Sequence, residues 1–229
     1  MIIVHEKLKA EAQHVASVLG DFLSIKPSLE SKNLDSLFQP IPKFNGFSQS
    51  CDELYQSIHE RIKEKVIVVL TPKDIYFCDK SQEDDWCFAY AYGNQRRLSI
   101  VISTARLKGK DSKPIQKLEI PKELYYERLK VLALHELGHD IVSGKHLRRA
   151  FWVNAETGYQ INTHKHCPNN NCVFYQLGDI QTPDPKKGYM RVGRTKKFDT
   201  GLDDLISRLG PDYFCDQCMA SMKIGRKYK

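Results

Sequence analysis

His135-Glu136-Leu137-Gly138-His139 decides how this chain is read. Pro121 suits the first turn of a helix that runs through Leu124, Leu129, Leu132 and His135, and Ser143-Gly144 stops it near Val142. Two histidines four apart on such a helix stand one turn above each other, so both imidazoles can reach one metal ion. Glu136 falls on the same side, where it can take the proton of a water beside that ion. The pattern implies metal-assisted hydrolysis. Five residues alone are a modest signal, because His and Glu recur in helices by chance. A dense His/Cys cluster downstream and a Cys-x-x-Cys near the C-terminus raise its weight.

A catalytic zinc takes three protein ligands and keeps one position open. His135 and His139 supply two; His146, His164 and His166 are the candidates for the third. If the helix continued, His146 would lie ~10 Å further along its axis, too far to share the ion. Gly144 could turn the chain back, and spacing alone does not choose among the three. Cys167-Pro-Asn-Asn-Asn-Cys172 and Cys215-Asp-Gln-Cys218 have the spacing of a four-thiolate structural zinc, so the expectation is two zinc ions per chain. His166 is the favoured third ligand, because Cys167 pinned at that second ion would hold its neighbour near a fixed position. Cys51, Cys78 and Cys87 read as ordinary core or strand cysteines, and His5, His14 and His59 as plain surface or core histidines.

The 229 residues are expected to form one domain, 1–229, long enough to bury a core. Seven cysteines, four of them at metal spacing, argue for a reducing compartment and against a disulfide framework. Ile2-Ile3-Val4 is too short for a signal-peptide core, and His5, Glu6 and Lys7 interrupt it at once. No apolar run approaches the ~20 residues of a membrane span. The chain is therefore expected in the cytoplasm, with a leaderless route out left open. The net charge of +7 is local. Lys186, Lys187, Arg191, Arg194, Lys196 and Lys197 lie in a connection at about 176–199, and Lys223, Arg226, Lys227 and Lys229 form a tail. Both read as solvated segments. A nucleic acid is not the expected partner, although the basic loop leaves an anionic one open.

Elsewhere, Ile2-Ile3-Val4 reads as a first strand and Lys9 to Leu23 as an amphipathic helix through Ala12, Val15, Leu19 and Phe22. Pro27 to Phe47 reads as a long connection, and a helix is expected from about Ser50, with Glu53 completing a capping box. The β-branched run Lys65 to Leu70 predicts a strand covered on both faces. Trp86 to Tyr92 and Leu98 to Ser103 predict an antiparallel hairpin about Gly93-Asn94, the first being an edge strand. Lys145 to His166 and Gln176 to Asp199 show no clear period. A last helix is expected from Leu202 to Leu209.

In combination, Phe88-Ala-Tyr-Ala-Tyr-Gly93, Val101-Ile-Ser-Thr-Ala-Arg106-Leu107 and Arg128-Leu-Lys ahead of His135-Glu-Leu-Gly-His139 resemble the archaemetzincins, over roughly Lys65 to Cys218. The resemblance implies a metzincin-like α/β domain. Its parts would be a twisted mixed sheet with an antiparallel edge strand, packed on long helices, and a structural zinc site of four cysteines. It also implies a zinc-dependent metallopeptidase acting on a peptide or protein substrate, expected to be a monomer, with Glu136 as general base. The family signature continues His-Glu-x-x-His-x-x-Gly-x-x-His-Cys, its third histidine binding zinc. Here Val142 stands at the turn glycine and Lys145 at the third histidine, and His166-Cys167 restores the His-Cys pair about 21 residues later. An insertion at about 143–165 reconciles the two. Phe174 occupies the position of the methionine that underlies the metal in metzincins. These departures, with the basic loop, favour the main alternative, a catalytically silent zinc-binding module recognising a protein or nucleic acid. Glu136 argues against it, since a pure binder needs no carboxylate beside its ligand.

Overall fold

The computed structural model describes all residues except 35–38, 42–45, 50–56, 78–84, 94–95, 112, 116, 155–159, 176, 180–187, 193–194, 198–199, 225–227 and 229. For 39–41, 46–49, 76–77, 85–86, 150–154, 160–164, 177–179, 188–192, 195–197 and 200 it describes the backbone alone. The expected helix start at Ser50, both Cys51 and Cys78, and Lys186, Lys187, Arg194, Arg226, Lys227 and Lys229 lie outside the described residues. The chain divides into two compact units. One comprises Met1–Gly109, Lys113–Asp140 and Ile224–Lys229; the other comprises Lys110–Ser112 and Ile141–Lys223.

The first unit is built on β1 (Ile2–His5), α1 (Lys9–Leu23), β2 (Ser28–Ser31), β3 (Gln39–Ile41), β4 (Gly46–Gln49), β5 (Val66–Thr71), β6 (Ile75–Phe77), β7 (Asp85–Cys87), β8 (Ala89–Gly93), β9 (Leu98–Ser103) and α2 (Lys122–Ile141). Its main sheet has the order β2-β1-β5-β9-β8. The β1–β2, β1–β5 and β5–β9 pairs are parallel, and β8 is antiparallel to β9. Ile2, Val4, Ile67, Val69 and Val101 share one buried cluster with Leu34, Ile58, Ile62 and Ile75. The alternate residues Ile3, Val68, Leu70, Ile100 and Ile102 are buried as well. Both faces of the sheet are thus covered, which is why its central strands read as unbroken apolar runs rather than alternating ones.

The expected strand Trp86 to Tyr92 is divided. Phe88 is a bend; β7 before it pairs with β6 in a second sheet ordered β3-β4-β6-β7, while β8 after it pairs with β9. Burial of Phe88, whose carbonyl accepts the Ser103 amide at 2.8 Å, fixes the bend. At the far end of β8, Gly93 is required by space. A Cβ there would meet the Arg97 carbonyl oxygen at 2.5 Å and the Leu98 Cα at 2.9 Å. The connection expected from Pro27 to Phe47 carries β2, β3 and the start of β4.

The second unit corrects two expectations. Lys145 to His166 contains an antiparallel hairpin of β10 (Arg148–Asn154) and β11 (Gln160–His166), its register shifting between Arg149 and Phe151. The basic connection contains β12 (Leu177–Asp179), β13 (Gly188–Val192) and β14 (Thr195–Lys197). A four-stranded sheet runs β11-β10-β13-β14, and β12 pairs with β15 (Thr200–Gly201). Two short helices follow, α3 (Leu202–Arg208) and α4 (Asp216–Ser221), the latter unforeseen from the sequence. No helix among the described residues is long and apolar enough to cross a membrane.

Candidate metal centres

The helix α2 is buried continuously from Val131 to Gly138, and polar anchors fix its rotation. Arg128, fully buried, donates through Nη1 to the Leu107 and Gly109 carbonyls, each at 2.7 Å. The Tyr125 hydroxyl donates to Glu11 of α1 at 3.1 Å, and His14 of α1 bonds the Tyr126 carbonyl through Nε2 at 3.0 Å. Arg128 stands two turns ahead of His135, so the bonds that seat it also orient the histidine face. On that face the His135 and His139 rings lie 5.2 Å apart, centroid to centroid, and nearly perpendicular at 77°. His135 is buried and His139 half-buried.

Glu136 is buried and its carboxylate accepts the backbone amide of Ala91, in the middle of the edge strand β8. Burial pushes the carboxyl up to about 8, against the opposing pull of the Ala91 amide. In the same unit, Asp74 and Arg106 form a buried two-pronged ion pair, Nε to Oδ1 at 2.7 Å and Nη2 to Oδ2 at 2.6 Å.

In the second unit the sulfurs of Cys167, Cys172, Cys215 and Cys218 all lie within 4.8 Å of one another. The first pair is set by a tight turn: the Cys172 amide bonds the Asn169 carbonyl at 3.2 Å, and the Asn171 amide bonds Asn169 Oδ1 at 3.0 Å. Cys215 caps the N-terminus of α4 and Cys218 lies on its first turn, which makes a Cys-x-x-Cys spacing converge. Cys167 Sγ approaches Cys215 Sγ at 3.6 Å and Cys172 Sγ approaches Cys218 Sγ at 3.7 Å. None is in a disulfide. The contacts that Cys172 makes with the neighbouring Cys167 and Cys218 sulfurs draw its pKa down. The same crowding of sulfurs pushes Cys218 far up, and Cys167 up to about 12.

His166 ends β11, buried, with its ring 5.3 Å from that of Phe174. Phe174 is itself buried and its carbonyl accepts the Cys167 amide at 2.9 Å. Phe174 is therefore a buried apolar neighbour of the His166 ring. His146 lies at the cysteines, its Nε2 3.4 Å from Cys218 Sγ. His164 belongs to β11 two residues before His166, with its side chain outside the described ones. Cys87 is half-buried in β7 against the main core cluster, as expected of an ordinary strand cysteine. His5 and His59 are core residues. The amide of Ala91 and the seat of Arg128 were not foreseen. The seven-residue interval from Arg128 to His135 was the available signal for the second.

No protein-family model and no curated protein matches the chain, whereas solved structures do. The fold is one shared with solved zinc-dependent peptidases, and more particularly it is the fold of the archaemetzincins. It resembles the archaemetzincin of Methanopyrus kandleri with a TM-score of 0.56 at 19% identity, over 96% of this chain and 91% of that one. The archaemetzincin of Archaeoglobus fulgidus, complexed with malonate, gives 0.52 at 20% identity, over 96% and 99%. A zinc-dependent peptidase of Methanocorpusculum labreanum gives 0.56 at 16% identity, over 96% and 99%.

Proposed function

We propose that the chain is a zinc metallopeptidase, its two units making one peptidase domain. His135, His139 and His166 hold a catalytic zinc, and Cys167, Cys172, Cys215 and Cys218 hold a second, structural one. Donor chemistry supports this reading. Zinc takes imidazole and thiolate ligands, His135 and His139 stand one turn apart on α2, and the four cysteines could each offer one sulfur to a single ion. When bound at the histidines, zinc supplies Lewis acidity toward a scissile carbonyl and an attacking water. Glu136 accepts the proton of that water at its carboxylate and passes it to the leaving amine. A carboxyl raised by burial to about 8 suits a group that must take up and release a proton near neutrality. An extended peptide lies along β8 as an added strand, bonded through the backbone. The free thiols suit a reducing compartment such as the cytoplasm, where the enzyme acts as a monomer.

The observation that carries the proposal is the bond from Ala91 to Glu136. It joins the base to the substrate strand, one residue from a ligand histidine. The test is zinc content and cleavage of a broad peptide library by wild type, Glu136→Gln, His166→Ala, His164→Ala and His146→Ala. Glu136→Gln should keep its zinc and lose activity by several orders of magnitude, because the amide cannot take a proton. Of the histidine variants, His166→Ala alone should lose catalytic-site zinc. Wild type that carries zinc yet cleaves nothing would favour the silent binding module.

A further inference from the structure

Beyond the four sulfurs, a fifth side chain is aimed at the cysteine cluster. His146 Nε2 lies 3.4 Å from Cys218 Sγ, a hydrogen-bond distance for sulfur, and the backbone between the two is fastened at several points inside the second unit. Gly144 has φ +132, in the region that favours glycine. A Cβ on it would stand 3.1 Å from His146 Nδ1 and 3.5 Å from Ser221 Cβ. The chain thus passes closely between the imidazole and the end of α4, where only glycine fits without displacement. Val142 forms a bridge with Met222, the Lys223 amide donates to the Ile141 carbonyl at 2.7 Å, and the Ser143 hydroxyl donates to the Ser221 carbonyl at 3.2 Å. Ser221 in turn donates through its hydroxyl to the Cys218 carbonyl at 3.0 Å. Residues 141–146 are therefore tied along the helix that carries Cys218, and His146 is delivered to its sulfur.

We propose that His146 is a positioning residue of the cysteine metal site, donating its Nε2–H to the Cys218 thiolate. The proposal rests on the reading of the four cysteines as a zinc site. Four thiolates around one dication leave an excess of two negative charges, and a neutral N–H donor relieves part of it at the sulfur it touches. The same bond holds the Cys218 sulfur in its ligating direction and makes it less nucleophilic. The ring takes the tautomer with hydrogen on Nε2, as a donor to a thiolate requires. In this role the histidine nearest in sequence to His139 belongs to the structural ion and not to the catalytic one.

The test compares wild type, His146→Ala and His146→Gln, first loaded with zinc and then with cobalt(II) alone as the optical probe. His146→Ala should surrender its cysteine-held zinc to a chelator roughly 10–100-fold faster. Its thiolate-to-cobalt charge-transfer band should move to lower energy, because an unbonded sulfur is the richer donor. His146→Gln keeps an N–H donor and should recover part of both. Unchanged release and an unmoved band in His146→Ala would overturn the proposal while leaving the zinc site standing. So would effects that His146→Gln fails to recover, since those would reflect lost packing. A wild-type protein with no thiolate-to-cobalt band would overturn the reading of the cysteines, and the proposal with it.

Discussion

The Tyr228 hydroxyl donates to Asp140 Oδ2 at 2.7 Å, so the penultimate residue of the chain is bonded to the residue immediately after His139. Tyr228 is buried, and that burial, reinforced by the Asp140 charge, holds its phenol far above the ordinary range. It is therefore a neutral donor at any working pH. Tyr228→Phe should cost roughly 1.5–3 kcal/mol, the usual worth of a hydrogen bond to a charged group. Urea unfolding of the variant measures it, and a midpoint equal to wild type would show that Tyr228 contributes nothing to the end of α2.

Removing the cysteines proposed to hold the second zinc should act on stability directly. Cys215→Ser/Cys218→Ser is expected to lose one zinc per chain from the two proposed and to melt well below wild type, because ligation energy at a structural site is folding energy. Elemental analysis and thermal unfolding check it together. A wild-type content of one zinc or less after reconstitution would sink the two-ion reading.

The buried Asp74–Arg106 pair should be costly to break and cheaper to replace. Arg106→Met leaves a buried carboxylate without its partner and is expected to destabilise by ~3–5 kcal/mol. Asp74→Leu/Arg106→Met should regain much of that loss. If the double variant is less stable than Arg106→Met alone, the pair is not the source of the cost.

Acid stability should depend on His59. It is buried, bonded to Ser99 Oγ at 3.0 Å, and its pKa is lowered to about 4 by burial first and the Arg97 charge second, against the Glu64 carbonyl bond. The unfolded chain takes up this proton near 6.5 while the folded chain refuses it until about 4. Stability from this residue is complete above the higher value and falls as pH drops through the window between them. Unfolding midpoints of His59→Gln should therefore vary less with pH than those of wild type between about pH 7 and 4. Equal slopes would remove His59 from the acid response.

What the sequence disclosed follows burial and chemistry. The α2 helix and the strands β5 and β9 were legible because long buried elements leave continuous apolar runs between clear stop signals. The four cysteines were legible because thiolate ligation demands close spacing. The second unit was not: Gln160-Ile-Asn-Thr-His-Lys-His166 is polar at most positions, and strands of three residues are too short to show a period. Asp216-Gln-Cys-Met-Ala-Ser221 has no apolar stripe, so α4 was missed although its cysteines were seen. Phe88 hid a change of sheet, since a bend within an apolar stretch leaves the alternation intact. The burial of Arg128 was not foreseen because arginine in mid-helix ordinarily faces water.

The bond from Ala91 to Glu136 also bears on self-association. β8 closes the sheet at one side, and a bare border strand is a template on which other copies can stack and polymerise. Here the central rung of that border is already taken by a carboxylate of the same molecule. A second copy zipping alongside would have to pull a buried acid off the amide that holds it, whereas a short guest can use the rungs on either side. The same contact therefore opposes edge-to-edge stacking at the middle of β8.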